Sequence, residues 1–183
     1  MCHLCNTKPV YEFTNKRKLC KNCFIHWFEK KFLYINRKFG MIKRGDVIVI
    51  KGNDYKNEVL KHILRNLKDK LMIKVDNKNI NKTALTSTID SEAEEIIQIL
   101  INQNAKELKK LFPVIKDNKI TIIKPLYLFL DEEVLLYAKL KNIKFKNKVK
   151  KDNKISEFIN ELEKKHPEVK RAVVNSCLKL PEK

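Results

Sequence analysis

Two hydrophobic periods alternate along the chain, and each names the element it belongs to. Phe24, Phe28, Phe32, Ile35 and Phe39 recur at spacings of three and four, while Lys30, Lys31, Arg37 and Lys38 fall mostly elsewhere. That pattern predicts a helix after Cys23 with an aromatic face, read as packing ahead of a stacking platform for bases. Asp46-Val-Ile-Val-Ile50 is a short apolar run fit for a buried strand. The tight loop Lys51–Asp54 follows it, then a helix carrying Val59, Leu60, Ile63, Leu64 and Leu67 on one side. Strand, glycine loop and helix is the arrangement that cradles phosphate at a helix N-terminus, although a single glycine makes the pattern weak.

Further along, Leu71–Val75 reads as a second strand and Thr83–Thr88 as a third, joined by a short link rich in Asn and Lys. If those two strands pair, they form a hairpin, because parallel neighbours need a longer crossover. Asp90 is placed to cap a helix bearing Ala93, Ile96, Ile97, Leu100 and Ile101. Lys119–Lys124 is another strand, ended by Pro125, and Asp131 opens a helix through Val134, Leu135 and Ala138. A basic linker, Lys144–Lys154, leads to a helix over Ile155–Leu162. Pro167 suits the first position of a last helix through Val173 and Val174. No internal repeat is visible, and three glycines and five prolines leave little room for long loops.

Composition sets the scale. At 183 residues and 43% hydrophobic, the chain supports one α/β domain with a core plus a small appended module, and is not a disordered tail. No stretch approaches 18 apolar residues, and the chain starts MCHLC instead of with a charged and then apolar leader. The expectation is a soluble, cytoplasmic protein with no membrane partner. Forty Lys and Arg against 22 Asp and Glu give a net charge of +18, spread along most of the chain. Polyanions neutralise such a charge, and nucleic acid is the usual one; a Lys-rich, Ile-rich proteome would also produce it.

Four of the five cysteines fall in the first 23 residues, as Cys2-x2-Cys5 and Cys20-x2-Cys23. Each pair makes a tight turn aiming two thiolates at one centre, and two such turns complete a tetrahedral site. Structural Zn2+ is the preferred occupant, with an iron–sulfur cluster and free thiols as alternatives. A closed four-thiolate site leaves no position for water, so its part is structural. His3 and His26 are close enough in sequence to substitute as ligands. Cys177, alone in an apolar helical stretch, reads as a small core residue. Lys16, Arg17, Lys18 and Lys21 lie between and beside the cysteine pairs, and Lys30 and Lys31 follow on the helix. These six are the candidate RNA contacts, with an ordinary solvated face as the alternative.

Together these segments resemble the PP-loop ATP pyrophosphatases that 2-thiolate tRNA, which include the 2-thiocytidine and 2-thiouridine synthetases and the cytoplasmic wobble-uridine thiolation pair. CHLC…CKNCF at 2–24 corresponds to the family's zinc knuckle, and DVIVIKGNDYKNEVL at 46–60 to its strand and pyrophosphatase loop. TSTIDSEAEEII at 86–97 is similar to the family's Asn-x-Asp-Asp-x-Ala helix start. IIKPLYLFLDEEVLLYAKLKNIKF at 122–145 and FINELEKKHPEVKRAVVNS at 158–176 follow its C-terminal pattern. The family loop reads Ser-Gly-Gly-x-Asp-Ser, where this chain has Lys51-Gly52-Asn53-Asp54-Tyr55-Lys56. Lysine brings no hydroxyl, and tyrosine removes the carboxylate. The 68–88 region is shorter than the family's and lacks its reactive cysteines, and the second zinc motif of some relatives is missing.

The resemblance therefore implies an α/β fold in three parts. These are a zinc knuckle and basic helix over 1–39, a truncated Rossmann-like (adenine nucleotide α-hydrolase-like) layer of mostly parallel strands over 40–145, and C-terminal helices over 146–183. It implies metal ligands at Cys2, Cys5, Cys20 and Cys23, with no catalytic and no nucleotide-binding residue carried over and no ATP expected. The function it suggests is a non-catalytic subunit or paralogue of tRNA thiolation that binds tRNA, an intact PP-loop homologue, or both. An active ATP-dependent thiolase using Gly52, Asn53 and the helix from Asp54 is one alternative. A zinc-ribbon RNA- or ribosome-associated protein unrelated to thiolation is the other.

Overall fold

The computed structural model describes residues 1–52, 54–117, 120–145 and 154–180. The chain opens with a small hairpin, β1 (Tyr11–Glu12) against β2 (Lys18–Leu19), and runs into helix α1 (Lys21–Lys38). Phe24, Phe28, Phe32 and Ile35 are all buried on α1, so the aromatic stripe is packing, as its period implies. The helix stops at Gly40, whose φ of +60° suits a residue without Cβ. Gly40 N donates to Arg37 O and Met41 N to Asn36 O, the paired bonds that close a helix end on a left-handed residue.

Then come β3 (Val47–Lys51), α2 (Tyr55–Leu71), β4 (Lys74–Val75) and β5 (Lys82–Leu85). The α3 helix (Ile89–Ile101), a 3-10 turn over Ala105–Leu111 and the strands β6 (Val114–Asp117) and β7 (Ile120–Ile123) follow. Helices α4 (Asp131–Leu140), α5 (Lys154–Lys165) and α6 (Val169–Cys177) complete the chain. The main sheet has the order β4-β3-β5-β7-β6, parallel except for the β6–β7 hairpin at one edge.

Several expectations change here. Leu71 ends α2 instead of starting a strand, and Met72 takes a left-handed φ of +51°, so β4 is only Lys74–Val75. The β4 and β5 strands do not form a hairpin. Both pair with β3 in parallel, one on each side, and residues 76–81 carry the chain across. Two inter-strand spacings, roughly 10 Å, are within reach of six residues, so no helical crossover is needed. Asn81 fixes the arrival: its side-chain Oδ1 accepts from Val47 N at 2.9 Å and its own N donates to Val47 O at 3.1 Å. The cap of α3 is Thr88, with Asp90 inside the first turn. Pro167 lies one residue ahead of the α6 cap, Glu168. Asn53, Lys119 and most of the Lys144–Lys154 linker lie outside the described residues.

The larger core joins α1, α2 and α4 to one face of the sheet, where Ile48, Ile50, Ala84, Ile123 and Val114 point. At its centre Phe28 stacks on Tyr137 at 4.2 Å and meets Phe129 at 4.3 Å. A second cluster forms where α3, the 3-10 turn and α6 close around Tyr127. Beside it Lys124 and Glu92, 4% and 1% exposed, pair at 2.8 Å. A charged pair so buried persists because each ion satisfies the other.

Candidate metal centre and its surroundings

Local backbone bonding brings the four N-terminal cysteines together. Cys2 N donates to Thr7 O and Asn6 N to Cys2 O, closing a turn with Asn6 at φ +55°. His3 N donates to Lys18 O at 2.8 Å, which stitches this turn to β2. The second pair is set by a helix start: Cys20 is the N-cap of α1 and Cys23 lies in its first turn. The four Sγ atoms all lie within 4.8 Å of one another, with Cys5 to Cys20 at 3.4 Å and Cys23 to Cys5 at 3.6 Å. This set can hold one metal ion. His3 and His26 are outside it, and Cys177 is buried at the end of α6 in the second core.

Electrostatics prepares the sulfurs unevenly. The Thr7 hydroxyl, the Cys23 backbone N–H and the Cys5 thiol lower Cys20 to about 6. Cys23 is the donor in this set: the hydrogen bonds its thiol gives to Cys5 and Cys20 hold its proton and push it up to about 12. Four thiols this close share protons instead of carrying four charges, and a cation replaces those protons.

The knuckle is fastened to the rest of the fold by side chains distant in sequence. Tyr11 OH donates to Glu132 Oε1 at 2.8 Å, and the Thr14 hydroxyl bonds Glu168 at the start of α6. Phe13 meets Trp27 edge-on at 4.8 Å. Of the six candidate RNA contacts, Lys16, Lys21 and Lys30 are exposed, and Lys18 pairs with Glu12 at 3.1 Å on the surface. Arg17 is half-buried with its guanidinium 4.7 Å over the Phe13 ring. Lys31 turns inward: its Nζ is 2.9 Å from Glu133 and 4.5 Å from the Phe129 centroid. Burial lowers the Lys31 pKa in spite of Glu133. Glu133, 0% exposed, also takes Arg171 at 3.0 Å. Trp27, Tyr34 and Arg171 join this neighbourhood although the sequence patterns did not single them out; the Lys-rich spacing of α1 drew attention to its cations alone.

After β3, Gly52 has φ +134°, and a Cβ there would lie 3.0 Å from Thr86 Oγ1. The glycine is required by conformation and by this close approach. Its carbonyl accepts from Asn57 Nδ2 at 2.6 Å. Asp54 caps α2, accepting from Asn57 N at 3.2 Å. Lys56, 8% exposed, does not reach outward: its Nζ is 2.6 Å from Asp131 Oδ1 and 3.1 Å from Thr88 Oγ1. Tyr55 OH donates to Asp131 O at 3.3 Å. The chain of charges continues from Asp131 N to Asp90, and from Asp90 to Lys170 and Glu163. A cavity of about 550 Å³ remains beside Gly52, lined by Asp54, Lys144 and the Glu58–Lys61 ion pair, 2.7 Å apart.

No family model matches the sequence, and no curated protein matches it. Among solved structures, the chain is similar to the U34-tRNA thiolase NcsA from Methanococcus maripaludis, determined with its [4Fe-4S] cluster. The TM-score is 0.78 at 15% identity, over 97% of this chain and 86% of that one. Among the described residues no helix is long and apolar enough to cross a membrane. The chain thus has the α/β fold of a U34-tRNA thiolase, with a cysteine cluster able to bind metal at its N-terminal end.

Proposed function

We propose that this protein is a zinc-containing, non-catalytic member of the tRNA-thiolation group, which binds tRNA and docks with a catalytically intact PP-loop homologue. The observation that carries this reading is the start of α2. In a phosphate-binding loop the helix N-terminus offers free N–H groups and positive potential to an anion. Here Asp54 already supplies the anion, and Glu58 adds a second negative charge in the first turn. Lys56, at the position of a family serine, is spent on Asp131 and Thr88. A triphosphate would have to displace one carboxylate and face another.

Spacing supports zinc over the cluster present in the M. maripaludis thiolase. Zn–S bonds of about 2.3 Å in a tetrahedron set sulfurs about 3.8 Å apart. The four sulfurs here, mutually within 4.8 Å, fit one ion. A four-iron cube engages each thiolate through a different iron and spreads them wider. The net charge of +18, together with the exposed Lys16, Lys21 and Lys30 around the knuckle, supports tRNA as the partner.

Filter retention of tRNA across a salt series tests the reading. The expected result is retention at 50 mM salt that falls steeply by 200 mM. A deletion strain would also show reduced 2-thiolated nucleosides by mass spectrometry. Failure to retain tRNA at low salt, with unchanged nucleosides, contradicts it.

A further inference from the structure

We propose that the cleft beside Trp27, between the cysteine knuckle and α1, holds one unpaired nucleotide of an RNA; this rests on the tRNA-binding reading and gives it a site. Two cavities, of about 410 and 350 Å³, adjoin there, and both are lined by Arg17, Trp27 and Lys31. The first also has Leu4, His26, Lys30 and Tyr34 on its walls and, among the described residues, no carboxylate. Lys31 is paired with Glu133 behind the wall, which leaves Arg17 and Lys30 as the cations the cleft presents.

Two observations point to a ligand. Among the described residues Arg17 Nε has no hydrogen-bond partner, and Arg17 lines both cavities, so its guanidinium has donors to spare for a phosphate or base oxygen. Tyr34, 56% exposed, lines the same cleft and offers an aromatic ring of the kind on which a base stacks, and Leu4, 66% exposed, adds apolar lining. The walls are held in advance of binding. Trp27 is clamped between Phe13 of the knuckle and Phe129 of the core, at 4.8 and 6.5 Å. Cys23, one of the four clustered cysteines, lines the cleft, so a metal held there would brace it. A cavity of this size takes one base with its phosphate. Paired bases keep their faces inside the helix, so the site selects a looped-out or single-stranded nucleotide over a duplex.

Trp27 is the only tryptophan in the chain, so its emission reports the cleft without a label. The metal-loaded full chain is titrated with a short single-stranded oligoribonucleotide, the same sequence as a duplex, intact tRNA, and polyglutamate. The single strand and tRNA should change Trp27 emission saturably. Tyr34→Ala and Lys30→Gln, both at exposed positions, should weaken that binding roughly tenfold. Filter-retained tRNA with unchanged Trp27 emission overturns this site while leaving the tRNA-binding reading intact. An equal response to polyglutamate also overturns it, in favour of an acidic protein partner. If no RNA is retained by either assay, both readings fall.

Discussion

Lys56 Nζ lies 2.6 Å from Asp131 Oδ1, joining the first turn of α2 to the first turn of α4 beneath the glycine loop. The pair is partly enclosed, with the lysine 10% and the aspartate 26% exposed at their side chains. Replacing Lys56 with Met removes the cation beside Asp131, which keeps the Thr88 hydroxyl as a donor, and takes away the donor to Thr88. We expect a loss of about 1–3 kcal/mol in urea unfolding, at the low end for a broken buried pair because Asp131 still meets water. The double variant Lys56→Met/Asp131→Asn should recover part of that loss. A single variant as stable as the parent would mean that the pair does not hold these helices together.

Removing the metal should separate the cysteines into two classes. Chelator treatment is expected to make four thiols accessible to a thiol reagent, while Cys177 reacts only on global unfolding. Cys177 is 4% exposed, and burial raises its pKa, which keeps it in the unreactive thiol form. Elemental analysis before treatment should give one zinc per chain. Simultaneous reaction of all five thiols would show that the knuckle and the second core unfold together.

Much of this was legible in advance because it is local. The x2 spacing of two cysteine pairs and the three-four spacing of Phe24, Phe28, Phe32 and Ile35 each specify a structure within a few residues. What stayed hidden depends on partners far along the chain. Whether β4 and β5 pair is not legible locally, because nothing near them reveals that β3, more than 20 residues earlier, lies between them. Glu133, in an Asp-Glu-Glu run, is fully buried between Lys31 and Arg171, partners that lie far from it along the chain. The β6 strand, Val-Ile-Lys-Asp, is too short and too polar at one end to stand out without its antiparallel mate.

Lys170 gives a pH-dependent contribution of known sign. Burial opposes its charge, but hydrogen bonds to Asp90 and Glu163 outweigh it and raise its pKa above the ordinary lysine value. A cation whose folded pKa is raised stabilises the fold fully below its unfolded pKa, about 10.4, and loses that contribution as pH climbs through the raised value. The Tm difference between the parent and Lys170→Met should therefore be constant from pH 7 to 9 and shrink above pH 10. A difference that grows with pH would contradict the assignment.

Under the proposed function the start of α2 offers no phosphate cradle, and calorimetric titration of the purified, metal-loaded protein with Mg-ATP tests this most directly. With Asp54 capping the helix and Lys56 bound to Asp131, we predict no saturable heat up to millimolar ATP. Saturable binding in the micromolar range, abolished by Gly52→Ala, would contradict the claim and restore an ATP-dependent enzyme.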